Sequence, residues 1–310
     1  MRSLVVNSFG GPEVIELVDA PLPEPSPHQV RVRVAASSVN PIDLSTRAGR
    51  LVDAGLMVAE GPVGLGWDVA GTVDAVGDQV RTVAVGDEVV GLRNLLFAPG
   101  AHADHVVLDA TAVAPAPRSV SLVEAATLPL NALTADRALD LAALRRGQTM
   151  LVTGAAGAVG GFVLELAAGR GLHTVALARK GDEDLVADLG AAQVITSSTR
   201  LGLGVRELVP GGVDAVIDAA VLGIAAHDAV RDGGTFVALV APFAPPPIRG
   251  TRVVVQEVIA DGARLAELSA LVDAGQLTLR VAEELPLADA AQAHRLVEAG
   301  GRRGRVVLVP

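Results

Sequence analysis

No cysteine occurs anywhere in the chain, which excludes disulfides, thiolate nucleophiles and cysteine-held zinc. Tyrosine is absent as well, so no phenolic proton donor is available. Aromatic residues make up only 2% of the 310 positions while half of the chain is hydrophobic, so any core must be built from Ala, Val and Leu. Lysine occurs once, at Lys180. Acidic residues outnumber basic ones, 35 to 25, and the net charge of −10 argues against the basic stripe that a nucleic-acid surface requires. No uninterrupted apolar run approaches the ~18 residues of a membrane-spanning helix. The opening MRSLVVNSFGG is too short and too interrupted for a signal peptide. The expectation is a soluble, cytoplasmic protein with neither a membrane nor a nucleic-acid partner.

What is present divides by texture. Residues 1–118 carry short β-rich runs: RVRVAASSV (31–39), VAGTVDAVG (69–77) and VGDEVVGL (85–92), with a proline-rich loop, PLPEPSP, at 21–27. From Ser119 two helical stretches follow, with Ser119 or Ser121 as the N-cap. Residues 149–257 then alternate strand and helix, each strand an apolar run. That pattern predicts an α/β unit with a parallel sheet covered on both faces. Residues 263–275 are amphipathic, with Leu265, Leu268, Leu271 and Val272 on one face and Gly275 as a C-cap. Another helix and a closing strand, GRVVLVP, complete the chain.

The feature richest in chemistry is LVTGAAGAVG at 151–160. Ala155, Ala156, Gly157, Ala158, Val159 and Gly160 fit A-x-G-x-x-G, between a predicted strand and a predicted helix. A turn of this kind lets backbone approach a pyrophosphate and aims a helix N-terminus at its charge. Without a ligand, the same pattern serves as a tight strand–helix turn. Nineteen positions beyond Gly160 stand Arg179 and Lys180. An acidic residue at this distance would suit the ribose 2′-hydroxyl of NAD, whereas a cation suits the 2′-phosphate of NADP. Arg179 and Lys180 therefore point to NADP(H); the alternative is a pair of solvated cations in a surface loop.

The whole chain resembles the zinc-independent quinone oxidoreductases, the zeta-crystallin-like branch of the medium-chain dehydrogenase/reductase superfamily. The resemblance is carried by FGGPEVIEL (9–17), SVNPIDLSTRAG (38–49), GWDVAGTVDAVGDQV (66–80), ATLPLNALTADRAL (126–139), VTGAAGAVG (152–160), DGARLAELSALVDAGQL (261–277) and AAQAHRLVEAGGRRGRVVL (290–308). It implies a GroES-like β-rich catalytic domain, 1–118 plus 258–310, and a Rossmann doubly wound domain, 119–257, with the active site between them. It implies a homodimer joined at the Rossmann edge strand near 251–258. It also implies hydride transfer from NADPH to a small-molecule substrate, a quinone or an α,β-unsaturated carbonyl (enone). A tailoring enoyl reductase of a biosynthetic pathway and a non-catalytic NADPH-binding protein are the alternatives.

Zinc-dependent cousins place a metal-binding cysteine near the position of Asn40 and His-Glu where this chain has Trp67-Asp68, so no metal is expected. His102 and His105, in a strand, would point to opposite faces and are read as structural. Asn40 is the first pocket donor implied, although Asn40-Pro41 is equally explained as a turn. Asp43 is expected to orient a water or a partner side chain, and Asp68 to pair with a buried cation such as Arg47. Thr127, in preference to Thr134, is the expected hydrogen-bonding contact to the cofactor. Ala219 and Ala220 are expected beside its adenosine side, and Leu239, Val240 and Ala241 beside the nicotinamide. Two segments, DAAVLG (218–223) and APFAPPPIRG (241–250), depart from relatives. Pocket shape is expected to depend on 42–60, 93–102 and 241–250, all read as loops.

Overall fold

The computed structural model describes residues 1–93, 100–196 and 200–310. The chain runs β1 (Arg2–Val6), β2 (Ile15–Asp19), β3 (Gln29–Val39), α1 (Pro41–Arg47), α2 (Arg50–Asp53), β4 (Val63–Gly64), β5 (Asp68–Val76), β6 (Glu88–Leu92), β7 (His105–Asp109), β8 (Val113–Pro115), α3 (Leu122–Ala125) and α4 (Pro129–Ala142). It continues through β9 (Thr149–Thr153), α5 (Ala158–Gly169), β10 (His173–Leu177), α6 (Glu183–Asp188), β11 (Gln193–Ile195), α7 (Leu201–Leu208), β12 (Val213–Asp218), α8 (Ile224–His227), β13 (Val230–Ala238) and β14 (Arg252–Val255). It closes with α9 (Gly262–Asp273), β15 (Val281–Pro286), α10 (Ala290–Ala299) and β16 (Arg305–Val309).

Two compact units result: residues 1–130 with 259–310, and residues 131–258. The first division falls twelve residues later than the change of sequence texture at 118/119. The physical reason is that the first helix after the texture change, α3, and the first two residues of α4 belong to the β-rich unit. Ser121 caps α3 by accepting the Glu124 N–H at 3.2 Å, and α3 packs on β3 and β5. The N–H of Leu130, in the first turn of α4, donates to the Asp68 carboxylate at 2.6 Å.

In the β-rich unit, β3 shows why an alternating strand forms. Val30, Val32 and Val34 point into a core shared with Val69, Val73, Val89 and Val106, while Arg31 and Arg33 alternate outward. One sheet has the order β15-β16-β3-β5-β6-β8, with β7 also on β3, and a smaller sheet has the order β2-β1-β4. The amphipathic α9 buries Leu265, Leu268 and Val272, leaves Leu271 half-buried, and ends at Gly275 with φ +68°.

The second unit has one six-stranded sheet in the order β11-β10-β9-β12-β13-β14, every pairing parallel. Its strands are buried on both faces, with Leu151, Val175, Val216 and Phe236 in the core. The order reverses between β9 and β12, and in doubly wound sheets ligands bind at the carboxyl ends of the strands at such a point. Among the described residues, no helix is long and apolar enough to cross a membrane. Of the segment 42–60, expected as loop, 42–47 and 50–53 are helical, the Asn40 cap and Pro41 starting α1 and α2 following after two residues, while 54–60 is turn and loop. Of 93–102, residues 94–99 lie outside the described residues.

Candidate active site

Two groups of residues carry the polar geometry, one in each unit. In the second unit, β9 leads into the glycine turn. Gly154 takes φ +59°, and the Ala155 N–H donates to the Leu177 carbonyl at the end of β10 at 3.1 Å. Gly157 occupies the N-cap of α5, bringing no side chain of its own, and its N–H donates to the Gly154 carbonyl at 2.9 Å. Ala155 and Ala156 are buried, Gly157 is exposed, and Ala158 and Val159 are half-buried. Gly160 is pressed onto the turn so closely that a Cβ would stand 2.3 Å from the Gly154 oxygen. The helix N-terminus is lined by small residues that let a ligand come close to the backbone, so the turn fits a dinucleotide pyrophosphate.

Arg179 and Lys180 follow β10 after the buried Ala178 and are both exposed. Their turn is tied by the Asp182 N–H to the Arg179 carbonyl at 3.0 Å. Ala219 and Ala220 continue from β12, and Leu239, Val240 and Ala241 continue from β13; Ala220, Val240 and Ala241 are exposed. All of these positions sit at carboxyl ends of neighbouring parallel strands.

In the β-rich unit, Asn40, Asp43 and Asp68 are fully buried. The Asn40 side-chain amide donates to Asp68 Oδ2 at 2.7 Å and to Ser38 Oγ at 3.2 Å. Both oxygens of Asp43 are taken by backbone: Oδ2 accepts the Asn40 N–H at 2.8 Å and Oδ1 the Gly66 N–H at 3.0 Å. Burial pushes the Asp43 carboxyl up to about 7, against the pull of those two N–H donors and of Arg305. Burial raises Asp68 to about 6, opposed by hydrogen bonds from Ser38, Leu130 and Asn40. Arg305 is lowered to about 10 by burial, with the charges of Asp68 and Asp43 working in the other direction.

The expected Asp68–Arg47 pair does not form. Asp68 accepts from Ser38 Oγ, Asn40 and Leu130, whereas Arg47 donates to the Gly10 carbonyl at 3.1 Å, His294 Nδ1 at 3.3 Å and Glu298 at 2.5 Å. The cation that acts electrostatically on Asp43 and Asp68 is Arg305. The two histidines are apart, but His102 precedes β7 instead of lying in it. Its Nε2 faces the Ser38 carbonyl at 3.2 Å and must donate to it, while its ring meets His294 edge-on at 6.4 Å. His105 pairs with Asp74 at 3.2 Å. Among the described residues, no three His, Asp or Glu side chains gather around a common metal position. Thr127 is buried and donates to the Glu124 carbonyl at 2.8 Å. Thr134 is also buried.

Sequence reasoning missed Thr153 and Asp218. Thr153 Oγ1 donates to Asp218 Oδ1 at 2.6 Å, joining the ends of β9 and β12 at the reversal of strand order. The available signal was positional: each is a polar residue ending an apolar strand run.

Comparison with known proteins agrees with this architecture. Residues 26–118 match the family model for an alcohol dehydrogenase GroES-like domain, and residues 189–308 match that for a zinc-binding dehydrogenase. The NADPH-dependent alkenal/one oxidoreductase of Arabidopsis thaliana (chloroplastic) is 30% identical over 322 residues, covering 100% of this chain and 80% of that protein. The quinone oxidoreductase of Mus musculus is 29% identical over 332 residues, covering 100% of this chain and 98% of that protein. The solved structure of mycobacterial Rv1454c complexed with NADPH superposes with a TM-score of 0.86 at 30% identity, covering 100% of both chains.

Proposed function

The chain belongs to the zeta-crystallin-like quinone oxidoreductases of the medium-chain dehydrogenase/reductase superfamily, and from that premise we propose that it is an NADPH-dependent reductase of quinones or α,β-unsaturated carbonyl compounds that works without zinc. The observation that carries the reading is the exposed Arg179–Lys180 pair beyond β10, beside a glycine turn of small residues at the strand reversal. Bound NADPH supplies a hydride. The backbone of Ala155, Ala156, Gly157, Ala158, Val159 and Gly160 cradles the pyrophosphate, and Arg179 and Lys180 grip the 2′-phosphate. Thr127, Ala219, Ala220, Leu239, Val240 and Ala241 complete the cofactor contacts, the last five largely through backbone.

Asn40 and Asp43 act here as positioning residues. The amide of Asn40 is committed to Asp68 and Ser38, and both oxygens of Asp43 to backbone N–H groups. They fix the start of α1. Zinc-independence rests on the residues: no cysteine exists, and tryptophan stands where cousins have a histidine ligand. The scarcity of aromatic side chains suits a flat quinone poorly and favours a non-aromatic enone, as in an enoyl reductase of a biosynthetic pathway.

Among the described residues β14 is one edge of its sheet, with Val255 38% exposed, which supports a homodimer joined edge to edge. We place the protein in the cytoplasm. The deciding experiment is steady-state oxidation of NADPH and NADH with a panel of quinones and enones. A strong NADPH preference is expected. Equal kcat/KM for the two cofactors sinks the cofactor assignment, and NADPH binding without turnover on any member of the panel supports a binding protein instead.

A further inference from the structure

The turn that leaves β12 is held more firmly than a surface connection requires. Asp218 is 2% exposed, and its carboxylate accepts the Thr153 hydroxyl at 2.6 Å, the Leu222 N–H at 3.1 Å and the Gly223 N–H at 2.7 Å. Thr153 Oγ1 in turn accepts the Ala220 N–H at 2.9 Å. One hydroxyl and one carboxylate thus bind three backbone N–H groups within five residues. Between them lies Val221 at φ +57°, in the left-handed region that a β-branched residue seldom adopts. Such strain persists only where the surroundings over-determine it, and it gathers at ligand clamps. The clamped backbone forms a wall of the glycine turn. A Cβ on Gly154 would stand 3.2 Å from Ala219 C and from Ala220 N.

We propose that Thr153, Asp218 and Val221 are positioning residues for the dinucleotide: Thr153 and Asp218 hold a strained 219–223 backbone against Gly154, and that backbone sets where the cofactor lies in the strand-reversal crevice. The proposal rests on the NADP(H) reading above and adds residues to which that reading gives no part. Ala219 and Ala220 offer no side-chain chemistry, so any contact they make depends on backbone placement. A turn with asparagine or glycine at 221 would adopt this conformation without strain. With valine there, the turn relaxes elsewhere as soon as the clamp is loosened.

The test uses the full-length protein, with NADPH dissociation constants from isothermal titration calorimetry and Tm from circular dichroism. Thr153→Val removes the hydroxyl without changing side-chain shape, and is expected to weaken NADPH binding about 10-fold, the loss of two net hydrogen bonds. Thr153→Ser keeps the hydroxyl and should restore binding. Val221→Asn, which tolerates the left-handed conformation, should raise Tm. In the double variant Thr153→Val/Val221→Asn, affinity should return to within about threefold of the wild type, a non-additivity that a merely structural defect would not produce. Hydrogen exchange of the 219–223 segment in the unmodified protein should slow on addition of NADPH, which keeps the question answerable if Thr153→Val does not fold. Wild-type affinity in Thr153→Val overturns the proposal, as do failure of Val221→Asn to rescue and exchange at 219–223 indifferent to NADPH. If the unmodified protein does not bind NADPH at all, the cofactor reading falls and takes this one with it; if it binds and the variants match it, only the positioning role falls.

Discussion

Replacing Gly160 by alanine tests the glycine turn at its tightest point. The added Cβ would lie 2.3 Å from the Gly154 oxygen, 2.8 Å from Ala155 Cα and 2.9 Å from Gly154 C. All three neighbours are backbone atoms, so no side chain can rotate away. Restoring ordinary contact requires α5 to shift off the turn by about 1 Å. Overpacking of this kind costs about 1–3 kcal/mol, partly offset by the ~0.5–1 kcal/mol that alanine gains over glycine within a helix. The net destabilisation is about 0.5–2 kcal/mol, or a fall in Tm of roughly 1–8 °C for a chain of this size. The control lies in the same helix. Gly169 is exposed and has no atom within 4 Å of its would-be Cβ, so Gly169→Ala should stabilise by ~0.5–1 kcal/mol. Thermal unfolding followed by circular dichroism gives both shifts, and calorimetric titration with NADPH should show weakened binding for Gly160→Ala alone. A Gly160→Ala variant with wild-type Tm and wild-type affinity refutes the reasoning, as does a pair of variants that shift in the same direction.

Other outcomes follow from single groups. Arg179→Asp should lower the ratio of kcat/KM for NADPH to that for NADH by about 10–100-fold, the loss of a charged hydrogen bond worth ~1.5–3 kcal/mol; an unchanged ratio in steady-state kinetics removes Arg179 from the site. Asp68, raised by burial to about 6 from 3.8, binds its proton more tightly folded than unfolded, so its stabilising contribution is complete below pH ~4 and is lost as pH climbs to about 6. The Tm of Asp68→Asn relative to the wild type should therefore rise between pH 4 and 6 and level off above; a difference constant with pH contradicts the assignment. Ser121→Ala should cost ~1 kcal/mol by removing the hydroxyl that caps α3, read by chemical denaturation, and an unchanged midpoint would show that the cap contributes nothing.

How much of this could be read in advance depends on the range of the interaction. The parallel sheet was legible because burial on both faces writes an apolar run into each strand, and α5 and α9 because capping glycines and helical periodicity are local. The Ser121 cap was legible for the same reason. Partner choice was not. Asp68 selects Ser38, Asn40 and Leu130, which are 30, 28 and 62 residues away, through the register of β3 against β5 and the entry of α4. No short-range pattern separates those partners from Arg47. The helices at 41–53 escaped notice for a different reason: the stretch is short, carries polar residues throughout, and owes its helical start to the Asn40–Asp43 cap.

The two segments that depart from relatives, 218–223 and 241–250, look independent in the sequence and are in fact one packed feature. A Cβ on Gly223 would stand 2.7 Å from the Phe243 carbonyl oxygen, so the turn after β12 rests directly on the short 3-10 turn Ala241–Phe243 that follows β13. Gly223 itself has φ +57° and ψ −123°, a conformation that favours glycine, and its N–H is held by Asp218. A residue with a side chain at 223 would meet the 241–243 backbone, and a displaced 241–243 backbone would leave the clamped turn without its support. The unusual composition of one segment is therefore a condition for the other, since DAAVLG supplies the glycine and the carboxylate that let APFAPPPIRG approach. Phe243, 55% exposed, and Val240, 40% exposed, are carried on that support at the carboxyl edge of the sheet. Grafting a relative's sequence into either segment alone should lower both Tm and NADPH affinity, whereas grafting both together should recover them. Recovery by a single graft would show that the two turns are not coupled.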